Sequence, residues 1–216
     1  MQLTTSMRRA LIAGATATVL FTGANAANGA TGATRDVAAP SAGITATAIA
    51  TAPAHSPYAQ LRPLAALSAE RLATGDLVAA AKWGTGGPID DPVREQQVLD
   101  AVAEQARRLG ADPAVTVRIF RDQIEASKVV QRGLHRKWDA DPSQAPVERP
   151  DLQEVRKEIN RINGELVRAI AGSEDARSAP SCGPVLTAAA VHVRHERFLD
   201  GLHTVALTRS LRSVCG

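Results

Sequence analysis

The sequence predicts an all-α fold, a single helical domain of about six helices that spans residues 58–216 of the 216-residue chain. Two observations support this prediction. Apolar residues recur at three- and four-residue steps through the second half of the chain, which is the spacing of amphipathic helices. Asp-Pro pairs, which are typical of helix starts, precede two of the expected helices. With 44% hydrophobic residues, the chain can bury one ordinary core.

The first two long helices have recognisable limits. The first is expected over Leu61–Trp83. In the second, Asp91 is placed to cap the first turn and Pro92 to occupy the first helical position. Gly110 is placed to end this helix.

The third and fourth helices follow the same logic. The third is expected to start at Asp112 and to run to about Trp138. The fourth starts near Asp151, and its apolar residues form one narrow stripe. This stripe contains Leu152, Val155, Ile159, Ile162, Leu166 and Ile170. One or two further helices are expected after it, with a boundary near Gly201.

Residues 1–26 have the features of a secretory signal peptide. A pair of arginines precedes an apolar run, Ala10 to Phe21, and Ala26 ends a small-residue cleavage site. The pair weakly resembles a twin-arginine signal, but the ordinary secretory route is favoured. Residues 27–57 are rich in Ala, Thr, Gly, Ser and Pro, which predicts a disordered lead. We therefore expect an exported protein, periplasmic or extracellular after cleavage near Ala26, with no membrane anchor.

Composition makes several functional classes improbable. The chain has 25 Lys and Arg against 22 Asp and Glu, and only 3% aromatic residues. Neither a dominant phosphate-binding surface nor base-stacking aromatic residues are expected, so nucleic acid is not an expected partner. No metal site is expected, because His192, His195 and His203 are assigned to a solvated basic face.

The chain contains two cysteines, Cys182 and Cys215. In an exported protein, an even pair predicts one disulfide. Closing the loop between them would stabilise the fold by about 3 to 4 kcal/mol through loop-closure entropy.

Polar side chains fall on the apolar faces of all four long helices when positions are placed at 100° per residue. These residues are Arg71 and Lys82 on the first helix, Arg94 and Glu95 on the second, Ser127 and Gln131 on the third, and Arg156 on the fourth. Burying the four cations without partners would cost several kcal/mol each. Glu95 is the clearest inward acid, since Asp91 is assigned to capping. We therefore infer a pocket for a small molecule with at least two negative charges.

Each of these residues also has a purely structural interpretation. Arg71 or Arg94 alone could extend to solvent from the edge of its stripe. Ser127 and Gln131 could form ordinary interhelical hydrogen bonds. Glu95 could pair with Arg94 or complement the helix N-terminus.

The order and spacing of these residues resemble a known family. The matching segments are Glu70-Arg71-Leu72, Ala81-Lys82-Trp83, Pro88 to Glu95, Phe120 to Ile124 with Ser127 and Gln131, Pro150-Asp151-Leu152 with Arg156, and the spaced Cys182 and Cys215. From about Leu64 to Cys215 the chain resembles the secreted, all-helical AroQ-type (gamma subclass) chorismate mutases, which rearrange chorismate to prephenate.

The resemblance implies a dicarboxylate substrate, chorismate, and no cofactor. It implies that Arg71 and Arg156 hold carboxylates. Arg94 would help to fix the bound conformer, and Ser127 would add a hydroxyl donor. In this subclass one chain completes each pocket, although family members are often homodimers.

The resemblance also assigns the remaining polar residues. Glu95 would accept a hydrogen bond from the substrate hydroxyl. Lys82 and Gln131 would donate to the ether oxygen, where negative charge grows as the carbon–oxygen bond breaks.

Two rival functions stay open at this point. A secreted, non-catalytic helical module would bind an anionic metabolite or a partner protein without transforming it. A metal-dependent hydrolase that uses the late histidines would lose activity on treatment with a chelator.

Overall fold

The computed structural model describes residues 56–216, which fold into seven α-helices. The helices are α1 (Pro57–Lys82), α2 (Pro92–Arg108), α3 (Pro113–Ala140), α4 (Leu152–Ala171), α5 (Glu174–Ser178), α6 (Cys182–Glu196) and α7 (Gly201–Ser210). A short 3-10 helix, Pro142–Gln144, follows α3, and residues 56–216 contain no β-strand. The all-α prediction is confirmed. The described chain has one helix more than the six or so predicted. The additional helix is α5, which is too short to produce an apolar period.

The signal peptide predicted for residues 1–26 lies outside the described residues. The same is true of residues 27–55 of the predicted lead. None of the helices in the described range 56–216 is long and apolar enough to cross a bilayer.

Polar side chains cap the helices at the predicted starts. Asp91 Oδ1 accepts a backbone N–H at 3.0 Å, and Asp112 Oδ1 accepts one at 2.7 Å. A proline occupies the first position of α2 and of α3. Helix α1 begins before the predicted Leu61, because Ser56 Oγ accepts a backbone N–H at 3.2 Å and caps an additional turn.

Helix α1 is central to the packing. It contacts α3, α4, α6 and α7, while α2 packs against α3 and α4. The core includes the fully buried side chains of Leu64, Leu72, Phe120, Ile162 and Leu166. Burial of such side chains supplies most of the favourable free energy of folding. The arrangement leaves the inner faces of α1, α2, α3 and α4 around a common space.

Cys182, at the start of α6, is bonded to Cys215, and this confirms the predicted disulfide. The bridge ties α6 to the segment after α7. The cysteines are 33 positions apart, a loop for which closure entropy contributes about 3 to 4 kcal/mol.

His203 is not on the solvated face where the sequence placed it. Its Nε2 lies 2.9 Å from Asp76 Oδ1 on α1, and its Nδ1 lies 2.7 Å from Asp200 Oδ1 at the start of α7. The hydrogen bond with Asp76 raises the pKa of His203 to about 9 against the opposing effect of burial, and the bond with Asp200 adds to the increase. The imidazolium therefore ties α7 to α1.

We expect the free energy of unfolding to decline as pH rises from about 6.5 to 9. The folded state holds a proton that the unfolded state releases near pH 6.5, so this contribution is complete below pH 6.5 and is lost as pH passes the folded-state pKa of about 9. Because Asp76 and Asp200 are solvent-exposed, we expect a decline of about 1 to 2 kcal/mol. Urea unfolding at both ends of this range would measure it. His203→Gln should remove the decline. If the free energy of unfolding of this variant declines equally, other titratable groups cause the pH dependence.

Candidate active site

A cavity of about 110 Å³ lies between α1, α2, α3 and α4. All seven polar residues that the sequence places on inward faces line this cavity: Arg71, Lys82, Arg94, Glu95, Ser127, Gln131 and Arg156. Apolar side chains complete the walls, namely Val78, Ile89, Val98, Ile124, Leu152 and Ile159. Asp91 and Lys128 are the remaining lining residues. No lining residue comes from α5, α6 or α7.

Arg71 is a buried cation in the middle of α1, with 5% of its surface exposed. Its Nε donates to Asn163 Oδ1 at 2.9 Å, and its Nη1 donates to the carbonyl oxygen of Gln123 at 3.0 Å. No acidic side chain in residues 56–216 forms an ion pair with it, and burial lowers its pKa to about 10. Arg71 therefore does not extend to solvent. It stays charged at neutral pH and faces the cavity with its charge uncompensated.

Lys82 is the last residue of α1. Its Nζ donates to the carbonyl oxygens of Pro88 at 2.8 Å and Ile89 at 3.2 Å, both in the loop that leads to α2. Burial lowers the pKa of Lys82; Asp91 opposes this effect and the cation of Arg156 reinforces it. The ammonium group is thus held by neutral carbonyl groups, and no carboxylate of the described chain lies within ion-pair distance.

Arg94 and Arg156 line both the cavity and the cleft beside it. Arg94 Nη2 donates to Asn160 Oδ1 at 3.2 Å, and Nη1 lies 3.4 Å from Gln97 Oε1. Neither arginine forms an ion pair with an acid in the part of the chain that the structure describes. Neutral amide groups leave the positive charge of Arg94 available to an anion.

Lys128 is a cavity residue that sequence reasoning missed. It is 9% exposed, and its Nζ donates to both carboxylate oxygens of Glu95 at 3.2 Å. It also forms ion pairs with Asp90, at 3.3 Å, and with Glu125. Burial alone would lower the pKa of Lys128, but hydrogen bonds to Glu125, Glu95 and Asp90 raise it above its ordinary value. Glu95 therefore pairs with Lys128 and not with Arg94, the partner considered from the sequence.

Ser127 and Gln131 lie one turn apart on α3. Gln131 Nε2 donates to Ser127 Oγ at 3.2 Å, and Gln131 Oε1 is buried without a hydrogen-bond partner. The bond between them lies within one helix, so interhelical hydrogen bonding between these two side chains is not the explanation. The unsatisfied Oε1 can only accept a hydrogen bond, whereas Nε2 carries two N–H groups and can donate one to Ser127 and the other to a ligand.

The charges of the cavity do not balance internally. Asp91 is occupied as the cap of α2, and Glu95 is paired with Lys128. Of the cations that line the cavity, four form no ion pair with an acid of residues 56–216: Arg71, Lys82, Arg94 and Arg156. Gathering unpaired cations around a small cavity is costly unless an anion joins them. The site therefore favours a ligand with two or more negative charges.

The lining offers hydrogen-bond donors and no evident nucleophile. Both cysteines are in the disulfide, and the Ser127 hydroxyl is hydrogen-bonded to an amide and not to a base. Residues 56–216 also contain no group of three or more His, Cys, Asp or Glu residues that could hold a metal ion. Such a site suits preorganised electrostatic stabilisation of a transition state.

Sequence comparison identifies relatives with one activity. Residues 62–132 match the family "Chorismate mutase type II". The chain is 40% identical over 155 residues to the secreted chorismate mutase of Mycolicibacterium smegmatis. The aligned region covers 72% of this chain and 86% of that protein. It is 37% identical over 156 residues to the secreted chorismate mutase of Mycobacterium tuberculosis, with coverage of 72% and 78%.

Solved structures share the fold. The crystal structure of chorismate mutase from Burkholderia thailandensis matches with a TM-score of 0.69 and 34% identity, over 72% of this chain and 99% of that chain. Chorismate mutase from Burkholderia phymatum matches with a TM-score of 0.70 and 32% identity, over 74% and 98%. These matches confirm the family resemblance that the sequence suggested. The chain therefore belongs to the type II (AroQ) chorismate mutase family.

Proposed function

We propose that this chorismate mutase converts chorismate to prephenate in the cavity between α1, α2, α3 and α4. The reaction is a unimolecular pericyclic rearrangement of a dicarboxylate, and it needs no covalent intermediate, cofactor or proton transfer. The observation that carries the proposal is the buried guanidinium of Arg71, which lacks an acidic partner in residues 56–216. A substrate carboxylate would supply the missing negative charge.

Binding of the two carboxylates falls to the arginines. Arg71 and Arg156 hold one carboxylate each, because a guanidinium group can donate two parallel hydrogen bonds to a carboxylate. Arg94, between the cavity and the adjoining cleft, helps to fix the folded conformer of the substrate. Ser127 adds a hydroxyl donor. Holding the reacting carbons close together removes much of the entropic cost of the rearrangement.

Two donors stabilise the charge that develops during the reaction. Negative charge grows on the ether oxygen as the carbon–oxygen bond breaks, and Lys82 and Gln131 donate to that oxygen. Both side chains are held in place before substrate arrives, Lys82 by two carbonyl groups and Gln131 by Ser127. Donors that need no reorganisation at the moment of reaction are the most effective ones.

Glu95 accepts a hydrogen bond from the substrate hydroxyl in this proposal. Lys128 contacts both oxygens of the Glu95 carboxylate at 3.2 Å. A carboxylate oxygen has more than one acceptor site, so Glu95 can bond to Lys128 and to the substrate at once.

A direct assay tests the proposal. Purified, oxidised protein mixed with chorismate should deplete the ultraviolet absorbance of chorismate and yield prephenate. Unchanged absorbance, together with saturable binding of chorismate, would favour the rival non-catalytic binding module. Loss of activity in the presence of a chelator would favour metal-dependent chemistry and contradict the proposed mechanism.

The pH profile tests the role of Gln131. An amide donates a hydrogen bond at any ordinary pH, so the unmodified enzyme should have a nearly flat profile. In Gln131→Glu the new carboxyl must be protonated to donate, so activity should be confined to acidic solution and lost as pH rises through its pKa. Gln144→Glu, a solvent-exposed substitution in the 3-10 helix, is the matched control and should keep the flat profile. An unchanged rate of Gln131→Glu at neutral pH would show that Gln131 does not contact the ether oxygen.

Export and assembly are part of the proposal. The relatives are named secreted chorismate mutases, and we infer that this chain is exported and cleaved near Ala26. The mature protein would then act in the periplasm or outside the cell.

Each chain forms a complete cavity, since all seven predicted residues line it from one subunit. A homodimer would therefore contain two independent sites, and dilution to monomer would leave activity per chain unchanged.

A further inference from the structure

Asp90 lies in the loop between α1 and α2, between two residues that line the cavity, Ile89 and Asp91. Its own side chain is 53% exposed and is not part of the cavity wall. Both carboxylate oxygens lie 2.7 Å from Arg132 Nη2, and Oδ1 lies 3.3 Å from Lys128 Nζ. Because Arg132 and Lys128 both belong to α3, Asp90 fastens the loop to that helix.

The fastened end of the loop is the part that holds Lys82. The carbonyl oxygens that accept from Lys82 Nζ belong to Pro88 and Ile89, the two residues immediately before Asp90. A shift of Asp90 would therefore move both acceptors. The position of the ammonium group depends on where Asp90 is anchored.

The first half of the loop is rich in glycine and is held by Thr85, whose Oγ1 donates to the carbonyl oxygen of Lys82 and accepts from the N–H of Gly87. Gly84 and Gly86 have φ values of 68° and 70°, and Gly87 follows them. Glycine restricts the backbone less than any other residue. The attachment of Asp90 to α3 and the capping of α2 by Asp91 therefore both restrict the end of the loop that contains Pro88 and Ile89.

The charge of Asp90 suits this attachment. The hydrogen bond from Arg132, followed by the one from Lys128, holds the pKa of Asp90 below its ordinary value, so the carboxylate stays ionised at neutral pH. Lys128 also donates to Glu95. One cluster on α3 thus anchors both the loop that orients Lys82 and the acid that faces the substrate hydroxyl.

We propose that Asp90 is a positioning residue for the rearrangement: its ion pairs with Arg132 and Lys128 hold the two carbonyl groups that orient the ammonium of Lys82 toward the substrate ether oxygen. The inference rests on the proposed function, in particular on the role given to Lys82. Asp90 itself does not touch the substrate.

The first test is Asp90→Asn, which removes the charge and keeps the shape of the side chain. We expect kcat to fall by about tenfold or more, since small displacements of a catalytic group have effects of this size. KM should change by less than about threefold, because the arginines that hold the carboxylates are untouched. Glu104→Gln is the matched control. Glu104 also pairs with two cations, Arg107 and Arg108, but it lies outside the cavity, and its loss should leave kcat unchanged.

A double-mutant cycle separates positioning from a general structural effect. If Asp90 acts through Lys82, Asp90→Asn should have no further effect on kcat in the Lys82→Ala enzyme. A tenfold loss in both backgrounds would overturn the proposal, as would an unchanged kcat for Asp90→Asn in the wild-type background. Should Asp90→Asn fail to fold, Arg132→Gln tests the same attachment in the same cycle.

The cycle also distinguishes failure of this inference from failure of the proposed mechanism. A large effect of Lys82→Ala with an additive effect of Asp90→Asn would leave the proposed mechanism intact and remove only the positioning role. No effect of Lys82→Ala would refute the role of Lys82 and, with it, the role of Asp90.

Discussion

Replacing Arg71 by methionine is expected to lower kcat/KM for chorismate by about 10² to 10⁴ while the protein remains folded. Removing one partner of a buried charge pair costs about 3 to 5 kcal/mol, which corresponds to this range. The pair in question exists only in the substrate complex, because Arg71 has no acidic partner in the described chain. Steady-state kinetics would measure the loss.

The stability of Arg71→Met should change much less than its activity. Burial lowers the pKa of Arg71 from its ordinary value to about 10, and a shift of this size corresponds to roughly 3 kcal/mol of desolvation cost that methionine would not carry. The substitution also loses the hydrogen bonds to Asn163 and Gln123, which contribute about 1.5 to 3 kcal/mol each. The two effects nearly offset each other, so the net destabilisation should stay below about 3 kcal/mol.

A second buried arginine provides the control. Arg177, on α5, is 7% exposed, and burial lowers its pKa as well. It does not line the cavity, so Arg177→Met should retain full activity. Equal losses of kcat/KM in the two variants would mean that Arg71 acts through folding and not through the substrate.

Lys82→Ala is expected to lower kcat by about 10² to 10³, the usual effect of removing one donor to a developing oxyanion. KM should change little, since in the proposed mechanism Arg71 and Arg156, and not Lys82, hold the carboxylates of the substrate. The measurement is the initial rate of chorismate depletion at saturating substrate. Lys137→Ala, in the exposed last turn of α3, is the control and should leave kcat unchanged. A loss of only a few-fold in Lys82→Ala would remove Lys82 from the proposed role.

The sequence correctly predicted the all-α fold and seven of the residues that line the cavity. These predictions succeeded because they depend on interactions between residues close together in sequence. Asp91 and Asp112 cap the helices that they were expected to start, because capping depends on residues within one turn. Helical periodicity correctly placed Arg71 and Gln131 on inward faces, because the angle between positions on a helix is fixed. Their roles in catalysis remain predictions.

The features that escaped prediction depend on contacts between distant parts of the chain. Lys128 lies four positions after Ile124, about 40° from it around the helix, so the helical period could have placed it near the inward face; its ion pairs with Glu95 and Asp90, from α2 and the loop before it, depend on distant contacts. His203 was placed on the surface because the residues near it in sequence do not indicate its hydrogen bond with Asp76, which lies 127 positions away. Helix α5 has too few residues for a period to emerge.

Neither cysteine of the disulfide lines the cavity. Cys182 begins α6, which packs against α1 and contributes no lining residue. We therefore expect oxidation to affect the stability of the enzyme much more than its turnover. A molecule with reduced thiols would turn over substrate at the ordinary rate, but would unfold sooner under heat or denaturant.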